Sequence, residues 1–105
     1  MNYYNEIKTE ILNNEITKKV KDYSKNKSDL ATYYNVGKLL SKAGKHYGEG
    51  IIKEYSEKLT KELNKKYSVT TLKYMGLFYE FGKSQPVADQ LTWGHYCELF
   101  KLDNK

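Results

Sequence analysis

The stretch Ser68-Val-Thr-Thr-Leu-Lys-Tyr-Met-Gly-Leu-Phe-Tyr-Glu-Phe-Gly82 is where the chain concentrates its apolar side chains. Leu72, Met75, Gly76 and Tyr79 recur at helical spacing, and Tyr74, Leu77, Phe78 and Phe81 make a second apolar face. Only Thr70, Lys73 and Glu80 form a polar stripe. Ser68 is placed to accept a hydrogen bond from the open first turn, and Gly82 to take the left-handed conformation that ends a helix. A helix apolar on two sides has to be covered on two sides. The pattern therefore predicts a central helix inside a small bundle, or one that touches a partner.

The rest of the chain reads as helices packed around that one. From Tyr4 to Tyr23 the residues Ile7, Ile11, Leu12, Ile16 and Val20 keep three-to-four spacing, predicting a long first helix interrupted by Lys25-Asn-Lys-Ser28. Ser28 or Asn26 can cap a second helix that buries Leu30, Tyr33, Tyr34, Val36, Gly37 and Leu40. Gly37 costs about 1 kcal/mol relative to alanine inside a helix, which predicts a close helix contact there. Ala43-Gly-Lys-His-Tyr-Gly-Glu-Gly50 reads as the clear loop. A third helix follows, with Ile51, Ile52, Tyr55, Leu59 and Leu63 inside and lysines outside, and then the turn Lys65-Lys-Tyr67. Pro86 opens a short segment, Val87 to Leu91, and Thr92 can cap a last helix bearing Trp93, Tyr96, Leu99 and Phe100. No segment alternates with period two, so the expected fold is all-α, a compact bundle of five or six helices. It is read as one helical domain over residues 1–105 with a helix-turn-helix-like core at about 50–82.

Composition narrows the function classes. The chain has 105 residues, 39% hydrophobic and 30% charged, and no apolar run approaches the roughly 18 residues of a membrane span. The N-terminus lacks the apolar stretch of a secretory signal and the single Cys97 cannot form an internal disulfide, which points to the cytoplasm. All 18 basic residues are lysines. Lysine is a point charge suited to phosphates, whereas arginine's rigid fork is the commoner reader of guanine edges, so nucleic-acid binding here would lean on backbone contact. The net charge of +5 is concentrated between Lys38 and Lys73, where nine lysines face four glutamates. A lysine-rich solvated face accounts for the same pattern.

Catalytic constellations are not evident. The glycine-rich loop lacks the Gly-x-x-x-x-Gly-Lys-Ser/Thr spacing and a preceding strand. His95 and Cys97 lie two apart and so point in different directions on a helix; they read as a hydrogen-bonded structural histidine and a buried thiol. His46 with Glu49 gives too few ligands for a metal. Glu6-x-Lys8 lacks the aspartate and strands of a nuclease site. The expectation is a non-enzyme without cofactor or metal. The helix, turn and capped helix across 50–82 instead suggest a helix-turn-helix layout, with Thr70, Thr71, Lys73 and Tyr74 exposed on the second helix and Lys65 and Lys66 near phosphates.

Ordered motifs add a resemblance. Tyr34-Asn-Val-Gly-Lys38, Tyr47-Gly48 with Ile52, Ser56 and Leu59, Tyr67-Ser-Val-Thr-Thr-Leu-Lys-Tyr-Met75 with Phe78-Tyr79, and Gln90-Leu-Thr-Trp-Gly-His95 together resemble the helical N-terminal domain of YhcG-type proteins over residues 25–102. In that family the domain precedes a PD-(D/E)xK nuclease domain and is presumed to bind DNA. The resemblance implies a nucleic-acid-handling or defence setting, with no catalysis in these residues. Two departures stand out: the nuclease domain has no counterpart in this sequence, and Gly76-Leu77 stand where the family tends to carry an arginine and a glutamine.

Two functional readings follow. One is a nucleic-acid-binding module that docks DNA or guide RNA through Lys65, Lys66, Thr70, Thr71 and Lys73. The other is a small protein of phage or mobile-element origin whose Tyr74, Leu77 and Phe78 face a nuclease or CRISPR effector and block it, in the manner of an anti-CRISPR protein.

Overall fold

The computed structural model describes residues 3–20, 25–84 and 92–103, which form five helices: α1 (Tyr3–Val20), α2 (Lys25–Tyr47), α3 (Gly50–Leu63), α4 (Val69–Ser84) and α5 (Trp93–Asp103). Among the described residues there is no strand. No described helix is long and apolar enough to cross a membrane.

α4 occupies the middle because its two apolar faces enter two different cores. Leu72 and Met75 join Ile7, Ile11, Val36, Leu40, Tyr55 and Leu59 from α1, α2 and α3. Phe78, a few residues further, belongs to a second cluster with Leu30, Tyr96 and Phe100, against which Tyr34, Tyr74 and Phe81 pack. Trp93 at the start of α5 bridges the two, with its ring 4.7 Å from Tyr33 and 5.5 Å from Phe78. Offset and edge-to-face arrangements of this kind add to the area buried. Tyr79 and Trp93, expected in the core with Leu72 and Met75, are half-buried.

α2 and α4 cross in close contact at Gly37. A Cβ built there would lie 2.0 Å from the Met75 carbonyl oxygen, closer than any real contact. The glycine predicted from its helical cost is thus a place where two backbones meet.

Several boundaries differ from the sequence expectation. Lys25-Asn-Lys-Ser28 is the first turn of α2 and does not interrupt the helices, so neither Ser28 nor Asn26 caps it. The expected Ala43–Gly50 loop shrinks to Gly48-Glu49, because α2 continues through Gly44 to Tyr47. Among the described glycines only Gly48, with φ +90°, takes a positive φ, and its N–H closes the helix on the Gly44 carbonyl at 2.8 Å. α4 passes through Gly82 to Ser84, since glycine tolerates the helical conformation and stops a helix only where φ turns positive. In α1 the buried line is Ile7, Ile11 and Asn14, while Leu12 and Ile16 face outward at 43% and 59% exposure. Asn14 and Lys18 both donate to the Asp29 carboxylate, at 2.8 and 2.9 Å, so this end of α1 is tied to α2 by polar contacts. The expected segment Val87 to Leu91 lies outside the described residues, as does Tyr23.

Burial leaves a mark on the tyrosines. It pushes the Tyr33 phenol from its ordinary 10.0 up to about 12, helped by the Asp29 carboxylate, and it raises Tyr55 and Tyr67 as well. The native state therefore holds its phenol protons more tightly than the unfolded chain does. The stabilisation is complete below pH about 10 and is lost as pH rises toward 12. An absorbance titration is expected to show a subset of tyrosines ionising only together with loss of helical signal. Ionisation of every tyrosine near the ordinary value with the fold intact would remove Tyr33 from the interior.

Candidate nucleic-acid interface

The turn between α3 and α4 is built as a rigid platform. α3 ends at Asn64, which takes the left-handed conformation (φ 54°, ψ 38°) and reverses the chain. Three residues later Tyr67 is anchored on all its sides. Its ring is buried, its N–H donates to the Thr60 hydroxyl at 3.0 Å, and its carbonyl accepts from the Ser56 hydroxyl. Ser68 then caps α4 as expected: its Oγ accepts from the Thr71 N–H at 3.1 Å and donates to Thr71 Oγ1 at 2.9 Å. Lys65 and Lys66, held between two fixed points, are exposed.

The sequence-predicted contact residues divide on this platform. Lys65, Lys66, Thr70 and Lys73 are exposed, and none of the three lysines is engaged in an ion pair among the described residues. Some lysines elsewhere are engaged, such as Lys8 with Glu62 at 2.9 Å, Lys18 with Asp29 and Lys83 with Glu80, while Lys38, Lys42, Lys53 and Lys61 make no ion pair among the described residues either. Thr71 is half-buried with its hydroxyl inside the cap. The N-terminal end of α4 carries the positive end of the helix dipole into the same surface. Four groups that favour an anion lie within this turn and the start of α4: Lys65, Lys66, Lys73 and a helix N-terminus.

The helix-turn-helix arrangement is limited by how α4 is covered. With α2 on one side and α5 on the other, α4 offers solvent only a stripe, Thr70, Lys73, Leu77, Glu80 and Lys83. Beyond Lys73 that stripe brings an exposed leucine and a carboxylate, neither suited to a phosphate. The part of this surface suited to an anion is thereby limited to the turn and the first turn of α4.

The expected protein-facing residues fare differently again. Leu77 is 41% exposed. Phe78 is fully buried in the second core and cannot meet a partner, a correction that follows from its lying one residue, about 100°, round the helix from Leu77. Tyr74 is half-buried against Phe100, with ring centroids 5.9 Å apart, and reaches the edge of a groove of about 540 Å³ between α2, the start of α3 and α4.

At the far end, Thr92 and His95 form a reciprocal cap on α5. His95 N–H donates to Thr92 Oγ1 at 3.3 Å, and His95 Nδ1 accepts from the Thr92 N–H at 3.2 Å. His95 thus ties down backbone. Cys97 is half-buried, and burial pushes its thiol up, away from the reactive thiolate. Among the described residues no three His, Cys, Asp or Glu side chains gather as a metal site would require.

The ordered motifs, the all-α fold and the family model agree. The model of the DUF1016 N-terminal domain matches residues 6–105. The chain belongs to that family. No match was found among curated proteins or solved structures. Within this DUF1016 N-terminal domain the motif residues are largely structural: Gly37 lets α2 reach α4, Ser56 and Tyr67 fix the turn, Ser68 caps, and Phe78 fills a core. Sequence reading missed Thr60 and Asn64 as the makers of the platform. Thr60 meets Tyr67 only once the chain has turned, and the left-handed asparagine was the one local signal available.

Proposed function

We propose that this DUF1016 N-terminal domain is a nucleic-acid-binding module that grips backbone phosphates at the α3–α4 turn, through Lys65, Lys66 and Lys73 with the Thr70 hydroxyl. The observation that carries the reading is the anchored turn, which holds unpaired lysines beside the N-terminus of α4. Pre-ordered charges lose less entropy on binding than lysines on a loose loop. The absence of arginine and the short exposed stretch of α4 make binding nearly independent of sequence.

Affinity for a random duplex is expected to fall with salt, log K sloping by about −0.9 per phosphate neutralised, and Lys65→Ala with Lys66→Ala should flatten the slope by about two units. Fluorescence anisotropy across a salt series reads this directly. An unchanged slope in the double variant would remove the turn from the interface. A second reading, capture of a nuclease or effector protein, is favoured by Leu77, which leaves an apolar side chain on the exposed stripe. Its signature is retention of such a protein with feeble duplex binding at physiological salt.

A further inference from the structure

Of the helical glycines, Gly37, Gly44 and Gly76 separate into two kinds. Gly37 is demanded by the fold, whereas a Cβ at Gly44 or Gly76 would meet nothing within 4 Å. A glycine in mid-helix weakens it, and nothing inside the chain requires these two. Both line the same groove, which also holds Leu40, Ile52 and Leu72, with Leu77 on its edge. Its charged groups are Glu49 and Glu80 against Lys73, so away from its Thr70–Lys73 end the groove is acidic and suits a protein as occupant.

The order of residues along the exposed edge of α4 says which protein. Lys73 and Glu80 stand at equal distances either side of the Gly76–Leu77 peptide bond, and Thr70 and Lys83 do the same one turn further out. Read in reverse, the edge sets a lysine against a glutamate at the 73/80 positions and the neutral Thr70 against Lys83, with no like charges opposed. When two α4 helices lie antiparallel about a two-fold axis through that bond, each Lys73 faces the partner's Glu80. Each Leu77 then comes down beside the partner's Gly76, where no Cβ stands in the way. Self-complementarity of this kind is what an isologous interface requires. Glu80 is free to exchange its present contacts, since the Ser41 hydroxyl at 3.5 Å and Lys83 at 3.6 Å are long and exposed. We propose that this edge and groove form a self-association surface whose occupant is a second copy of the chain.

Sedimentation equilibrium of the full chain, without nucleic acid, tests the proposal. The wild type is expected to show a monomer–dimer equilibrium, and Lys73→Glu and Glu80→Lys should each weaken it by about tenfold or more, because each sets like charges together. Mixing those two variants should restore association as a heterodimer, and the double reversal K73E/E80K should self-associate again. Leu77→Glu should leave a monomer. These positions are exposed, and an unchanged helical circular dichroism spectrum confirms that each variant folds. A wild type that stays monomeric up to about 1 mM, a dimer indifferent to the reversals, or a mixture that remains monomeric would overturn the proposal. So would a monomer that retains a different protein through Leu77. Phosphate contact at Lys65 and Lys66 is read separately, so either proposal can fail alone.

Discussion

Truncating Phe78 to alanine is expected to cost about 3 to 5 kcal/mol, the largest loss of any single truncation on α4. The ring is fully buried and stands at the centre of the second core, 4.8 Å from Tyr96, 5.5 Å from Trp93 and 6.4 Å from Tyr34 by centroid. Its removal leaves a hole among rigid aromatic neighbours that cannot collapse to fill it, so the cavity cost adds to the lost burial. Leu77, the next residue toward the N-terminus, is 41% exposed, and Leu77→Ala should stay within about 0.5 kcal/mol in the monomer. Urea denaturation of the pair checks the difference. Similar losses for both would mean that α4 is rotated from the orientation described.

Gly37→Ala is the second large effect, and its sign runs against propensity. Alanine should gain about 1 kcal/mol in a helix that had room for it. Here the new methyl meets the Met75 carbonyl oxygen at 2.0 Å and Met75 carbonyl carbon at 2.7 Å, and backbone of a central helix cannot step aside as a flexible side chain would. Separating α2 from α4 costs about 1 to 3 kcal/mol by the usual scale of overpacking, and more when two backbones must part. Gly44→Ala, on the same helix with open space around it, should instead stabilise by about 1 kcal/mol. Thermal melts of the two variants should therefore shift in opposite directions. A Gly37→Ala variant as stable as Gly44→Ala would contradict the close crossing.

Those opposite signs show how far the sequence carries. Gly37 was legible because its helical neighbours made its cost conspicuous, and a close contact is the usual reason for such a cost. Gly44 and Gly82 were misread because a glycine weakens a helix without ending it; Gly48 ends α2 only because its φ turns positive. The two faces of α4 were legible from spacing alone, since each maps to one core. Phe78 was not, because periodicity tells that a second face is apolar without telling whether chain or partner covers it, and α5 covers it. In α1, Leu12 and Ile16 satisfy three-to-four spacing as well as Ile11 does, and the burial of Tyr4, Ile7 and Ile11 together with the polar tie of Asn14 and Lys18 to Asp29 fixes which side turns in. For the candidate interface, the lysines were visible in the composition. The anchoring of their turn was not, since Ser56 and Thr60 are eleven and seven residues from Tyr67 and meet it only in the folded state.

Phosphate contact confined to an anchored turn is tested most directly by backbone amide chemical-shift mapping of the domain titrated with a random duplex at low salt. The expected result is perturbation concentrated at Lys65, Lys66 and the first turn of α4 through Lys73, fading as salt is added, with the amides of Leu77 to Lys83 unmoved. Perturbation centred on Leu77 and Glu80 with the turn silent, or no perturbation at any salt concentration, would contradict it.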